Sequence, residues 1–183
     1  GAIKMAVETN QIPGAVLLTA RDGEVILHRA YGFADPLTQS PMQPNTLFRI
    51  CSQTKAITST AALICWEKGL LEIDDPVAKY IPIFASTGIL DSLMADTSFT
   101  STPAENALTI RHLMTHTNGI PYGEIGDSMY EQLYAKHDVT DLFAREMRST
   151  LENAEKIGQL ALAHEPGSEW TYSLGLDVLV AVI

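Results

Sequence analysis

Ser52 and Lys55 stand three residues apart in "RICSQTKAITST", residues 49 to 60, at the head of an apolar run. On a helix, positions i and i+3 share a face about 5–6 Å apart, so the hydroxyl and the amine can meet. The same helix start carries unpaired N–H groups and a positive partial charge. Those features suit a serine nucleophile with a nearby proton acceptor. A free lysine near pKa 10.4 is a poor base at neutral pH, and lowering it to about 7–8 by burial costs roughly 4 kcal/mol. The plainer reading is a helix-capping serine beside a solvated lysine. Against it, Lys55 is the one basic residue between Arg49 and Lys68, isolated in an apolar stretch.

Other side chains offer weaker chemistry. His28, His112, His116, His137 and His164 are possible triad partners, but no G-x-S-x-G string accompanies them. His112 and His116 have the i, i+4 spacing of metal ligands without the carboxylates of a zinc motif, so no metal is expected. The expected role of His116, with Asn118, is to tie down the loop that follows. Cys51 reads as a buried thiol, and Tyr122, in the loop after Gly119, as a pocket-lining candidate ranked no higher than a surface aromatic. If residues 52 to 68 are helical, Cys51 and Cys65 lie roughly 21 Å apart, too far for a disulfide. Two free thiols mildly favour a reducing compartment.

Elements must hold these groups in place. "AVLLTARDGEVILHRAYGFAD" reads as a hairpin turning at Arg21-Asp22-Gly23, and the three prolines of residues 35 to 45 read as a surface loop. Residues 52 to 68 carry helical periodicity, with Gly69 as the stop. "EIDDPVAKYIP" gives a short helix, and Thr109 caps another in "LTIRHLMTHTNGI". Residues 138 to 163 hold one long helix or two shorter ones. A last helix follows "EPGSEWTYS", the turn that carries Trp170 and Tyr172. Strands first and helices afterwards imply an α+β architecture. With 183 residues, 46% of them hydrophobic, a sizeable core is available, and the net charge of −10 argues against nucleic-acid or anionic-membrane partners. No apolar run is long enough to span a bilayer.

The frame "TLFRICSQTKAITSTAALICWEKGLLEIDDPVAKYIP" resembles the serine β-lactamase and penicillin-binding-protein superfamily, in the branch of class C β-lactamases and family VIII carboxylesterases. "LTIRHLMTHTNGI" and "EPGSEWTYSLGLDVLVAVI" match that branch in order and spacing. The resemblance implies a β-lactamase-like α+β fold, an antiparallel sheet with flanking helices and an inserted helical domain. Residues 1–75 would belong to the α/β domain and residues 76–183 to the helical one. It implies Ser52 as acylated nucleophile, Lys55 as the group assisting its deprotonation and Tyr172 as companion base, with no cofactor. The β-lactamase tyrosine motif has asparagine two residues on, where this sequence reads Tyr172-Ser173-Leu174. Leucine cannot contact a substrate amide, which points to a small-molecule ester rather than a β-lactam. The superfamily's K-T-G or W-G-G triplet is absent. Its strand supplies a second oxyanion N–H, a contact worth about 3–4 kcal/mol of barrier. The expectation is that a C-terminal segment or second fragment completes the site.

Overall fold

The computed structural model describes residues 1–142 and 148–183, which divide into two compact units, Gly1–Cys51 and Ser52–Ile183. The first unit holds helix α1 (Ala2–Glu8) and an antiparallel sheet of β1 (Gly14–Arg21), β2 (Glu24–Asp35) and β3 (Ser40–Pro41), in that order. The expected hairpin is present. Arg21 pairs with Glu24, and Asp22 and Gly23 both have positive φ, the two-residue turn whose twist matches the strands. The proline-rich loop contributes the short β3. Cys51, expected to be buried, is exposed, and both cysteines are free thiols.

The second unit opens with a 3-10 turn that runs into α2 (Thr54–Glu67), which ends at Lys68 before Gly69 at φ 69°. The buried face of α2 is made of small residues, Thr58 and Ala62, while Ile57, Leu63, Ile64 and Trp66 remain exposed. The expected helix after Asp75 is only a 3-10 turn, Val77–Lys79. A hairpin of β4 (Gly88–Leu93) and β5 (Phe99–Pro103) was not expected. Its turn contains no glycine; Thr97 takes the left-handed conformation, and Asp96 braces it by accepting from Ser98.

Helix α3 (Ile110–Thr115) starts at Thr109 as expected, in a capping box closed by His112. Helix α4 (Ser128–His137) is capped by Asp127 and was likewise unforeseen. Where one long helix or two shorter ones were expected over 138 to 163, the described residues hold α5 (Thr150–Ile157). Asp138 in the left-handed conformation stops α4, and a Ser149–Glu152 capping box starts α5. Positions 143 to 147 of that expectation lie outside the described residues. Helix α6 (Gly175–Val182) is apolar almost all round and packs on α2, α3 and α5. Val77, Ile81, Ile110, Leu113, Leu133 and Leu179, each at most 1% exposed, form the centre of this core. Each such side chain contributes about 1.5–3 kcal/mol by leaving water. Among the described residues no helix is long and apolar enough to cross a membrane.

Candidate active site

Ser52 sits in the 3-10 turn immediately before α2, and the residue preceding it, Cys51, has φ 46°. That conformation is strained for a residue with a β-carbon, and it turns the chain abruptly into the helix. Lys55, in the first turn of α2, brings Nζ to 3.5 Å from Ser52 Oγ. This proximity follows from local geometry alone.

Tyr172 arrives from 120 residues away. Its segment lies against the loop after α3. Thr171 N donates to His116 O at 2.8 Å, Leu174 N donates to Ile120 O at 3.0 Å, and Pro121 and Ser173 form an antiparallel bridge. The bridge sets Tyr122 opposite Tyr172, as a cross-strand pair. Their rings stack at 5.4 Å, and the Tyr172 hydroxyl donates to Ser52 Oγ at 2.5 Å. The structure therefore gathers Ser52, Lys55 and Tyr172 at one point.

Tyr122 joins them. Ranked no higher than a surface aromatic from the sequence, it is 5% exposed, and its hydroxyl accepts from Lys55 Nζ at 2.9 Å. Lys55 Nζ also lies over both rings, 5.2 Å from the Tyr122 centroid and 5.0 Å from that of Tyr172. No local pattern marks Tyr122, because it reaches the site through a bridge between segments 50 residues apart. The loop that carries it is held by Asp141, whose Oδ2 accepts from Gly123 N at 2.9 Å and Glu124 N at 2.6 Å.

The lysine is not depressed toward neutrality. Burial pulls the Lys55 pKa down, but the hydrogen bond to Tyr122 and the adjoining phenol oxygens outweigh it and leave it raised. Lys55 is thus an ammonium at neutral pH, the form that supports a neighbouring phenol rather than one that takes a proton itself. Burial raises the Tyr122 phenol against the opposing pull of Lys55, so Tyr122 is neutral.

His116 and Asn118 tie down more than their own loop. His116 caps α3 in the left-handed conformation, and its ring lies 4.9 Å from that of Tyr172 and 5.9 Å, edge-on, from Trp170. His112 points elsewhere, its Nδ1 accepting from Thr109 N within the capping box. The i, i+4 pair is therefore divided between two separate tasks. His164 Nε2 bonds Thr171 Oγ1, while His28 Nε2 bonds Pro44 O. Leu174, where the β-lactamase motif carries asparagine, is fully buried in the core and presents nothing to a substrate.

Two consequences for stability follow. A β-carbon on Gly175 would stand 2.3 Å from Asn118 Nδ2 and 3.1 Å from Leu113 O. Asn118 is pinned by hydrogen bonds and cannot retreat, so Gly175→Ala is expected to cost about 2–3 kcal/mol, read as a lower denaturant midpoint. Burial, the main cause for each, holds the His112 and His116 rings below the ordinary imidazole range near 6.5. The unfolded chain therefore binds protons first, and stability falls as pH drops through about 6.5. Denaturant midpoints at pH 7.5 and 5.5 check the sign.

A serine hydroxyl, an ammonium and a phenol thus converge at a helix start. The comparisons with known proteins show the family. The Beta-lactamase family model matches residues 2–183, and the chain belongs to this family. It is 38% identical over 180 residues to Esterase EstB of Burkholderia gladioli, covering 97% of this chain and 42% of that protein. It is 32% identical over 188 residues to Acyltransferase mokF of Monascus pilosus, covering 96% of this chain and 42% of the relative. Among solved structures, EstCE1, a hydrolase with promiscuous acyltransferase activity, matches with TM-score 0.81 and 33% identity, covering 100% of this chain and 44% of its own. A class C β-lactamase at 20% identity and TM-score 0.63 shares the fold. The chain spans about 42% of the length of the curated relatives it matches.

Proposed function

We propose that the protein to which this chain belongs is a serine hydrolase that cleaves carboxylic esters through an acyl-enzyme at Ser52. The observation that carries this reading is the 2.5 Å contact between Tyr172 OH and Ser52 Oγ, with the Lys55 ammonium beside it. In the proposed mechanism Tyr172 serves as the base, with the Lys55 ammonium 5.0 Å from its ring centroid as the neighbouring positive charge. Ser52 Oγ attacks the ester carbonyl while its proton passes to Tyr172, and the tyrosine then returns the proton to the departing alkoxide. Water enters next and gives a proton to Tyr172 as its oxygen adds to the acyl carbon; Tyr172 then passes that proton to the departing Ser52 Oγ, which frees the acid and restores the starting state. The proposed steps use side chains alone.

An ester substrate is supported by Leu174, which leaves the asparagine position without an amide, and by the similarity to an esterase. Acyl transfer to an alcohol in place of water is the second reading, supported by relatives named acyltransferases. A β-lactam or D-amino-acid peptide is a further alternative within the same mechanism. The second oxyanion donor would come from a segment outside this sequence or from a second fragment. The exposed apolar face of α2, Ile57 to Trp66, is a surface suited to receive it. A non-catalytic binding relative is the rival class.

Treating the full-length protein with a fluorophosphonate tests the reading. The expected result is a single adduct that maps to Ser52, together with faster turnover of p-nitrophenyl butyrate than of a chromogenic cephalosporin. No adduct would favour the binding relative; preference for the cephalosporin would replace the ester.

A further inference from the structure

Behind Tyr172 lies a closed chain of hydrogen bonds in which every proton can be assigned. Asn118 is fully buried in the loop after α3. Its Oδ1 accepts from Ile120 N at 2.8 Å, and its Nδ2 donates to His112 O at 3.2 Å. A backbone N–H and a backbone carbonyl cannot exchange roles, so they fix which end of the amide is which. Nδ2 also donates to Ser173 Oγ at 2.8 Å, and Gly175 N donates to the same oxygen at 3.2 Å. A hydroxyl oxygen has two lone pairs, and both are now taken. Ser173 must therefore give its own proton away. Its remaining partner is His116 Nδ1 at 2.8 Å, and the Ser173 backbone N–H donates to that same nitrogen at 3.1 Å. The backbone N–H can only donate, so Nδ1 is an acceptor without a hydrogen, its single lone pair shared between the two Ser173 donors. The neutral ring then has its proton on Nε2.

We propose that His116 is a positioning residue for Tyr172, able to hold the tyrosine segment against α3 only while its Nδ1 is unprotonated. The consequence for catalysis rests on the ester-hydrolase reading above. Protonation of Nδ1 would turn an N–H toward a backbone N–H and toward a hydroxyl whose lone pairs are occupied. Both bonds to Ser173 are lost, and Ser173 adjoins the residue whose hydroxyl touches Ser52. The groups facing the ring come from three elements. They are Lys55 of α2, the rings of Tyr172 and Trp170 in the segment before α6, and His112 one turn back on α3, occupied by Thr109. Asp177 of α6 acts on Lys55 and Tyr122 instead. Lys55 and burial both oppose a positive charge on His116, so the neutral form persists somewhat below pH 6.5.

The test uses the full-length protein labelled with 15N-histidine, with the His116 signals assigned through His116→Gln. At pH 7.5 the expected spectrum shows an unprotonated Nδ1 and a hydrogen on Nε2. On acidification the ring titrates below pH 6.5, the Ser173 amide loses its protection from hydrogen exchange at the same midpoint, and kcat/KM for p-nitrophenyl butyrate falls about tenfold per pH unit beyond it. His116→Gln keeps an acceptor but cannot titrate, so the acid limb moves away from that midpoint; His116→Phe, with no acceptor, loses at least tenfold at every pH. A hydrogen on Nδ1 at pH 7.5, or Ser173 protection that ignores the titration, overturns the proposal, as does an acid limb unchanged in His116→Gln. If Ser52 takes no fluorophosphonate, the hydrolase reading fails, while the tautomer and the Ser173 exchange still decide the role of His116.

Discussion

Replacing Tyr172 with phenylalanine is expected to lower kcat/KM for p-nitrophenyl butyrate in the full-length protein by about 10²–10⁴-fold, the usual contribution of a positioned general base. The change removes one oxygen. The ring that remains keeps its place between His116 at 4.9 Å and Tyr122 at 5.4 Å, and the backbone bridge to Pro121 does not involve the side chain. Stability should therefore shift by no more than about 0.5 kcal/mol, so that a lost rate reports chemistry rather than unfolding. If Lys55 were itself the base, Tyr172→Phe would keep most of the activity. The raised pKa of Lys55 speaks against that, since an ammonium has no lone pair with which to take the serine proton. Steady-state rates of the two proteins beside their thermal melts separate the alternatives.

Lys55→Met is expected to cost about 10³-fold at pH 7 and to change the shape of the pH profile. A phenol with pKa near 10 is ionised about once in a thousand at neutral pH, and a nearby ammonium is what raises that fraction. Lys55 supplies the charge at 2.9 Å from Tyr122 OH and over the face of both rings. Methionine fills a similar volume without it. The residual rate should climb as pH rises toward 10, because hydroxide then does what the ammonium did. Lys55→Arg should rescue little: the planar fork is wider than an ammonium and must fit between two stacked phenols. A flat profile in Lys55→Met would show that the lysine only packs.

Several elements were legible before any coordinates because their signals are local. Asp22-Gly23 announces a two-residue turn, Thr109 a helix cap, and Gly69 a helix stop; each depends on residues within one turn of itself. The β4–β5 hairpin escaped because Thr97 occupies a position where glycine or asparagine is the usual signal. Helix α4 escaped because its cap, Asp127, sits within Gly126-Asp127-Ser128, a string too short to announce a helix. Between one long helix and two shorter ones over 138 to 163 the spacing could not choose, because it does not reveal that Asp138 turns left-handed or that Ser149 and Glu152 begin a helix.

The site divides in the same way. Spacing alone determined that Ser52 and Lys55 share a helical face, because i and i+3 are neighbours in any α-helix. The further step to Tyr172 came from the resemblance of three ordered blocks. Only the tertiary structure brought Tyr122 beside them, set the Lys55 amine against two phenols, and placed both Ser173 donors on the His116 ring. A pKa and a tautomer are set by the charges and lone pairs brought within a few ångströms, and here the chain brings them from 55, 57, 67 and 120 residues away.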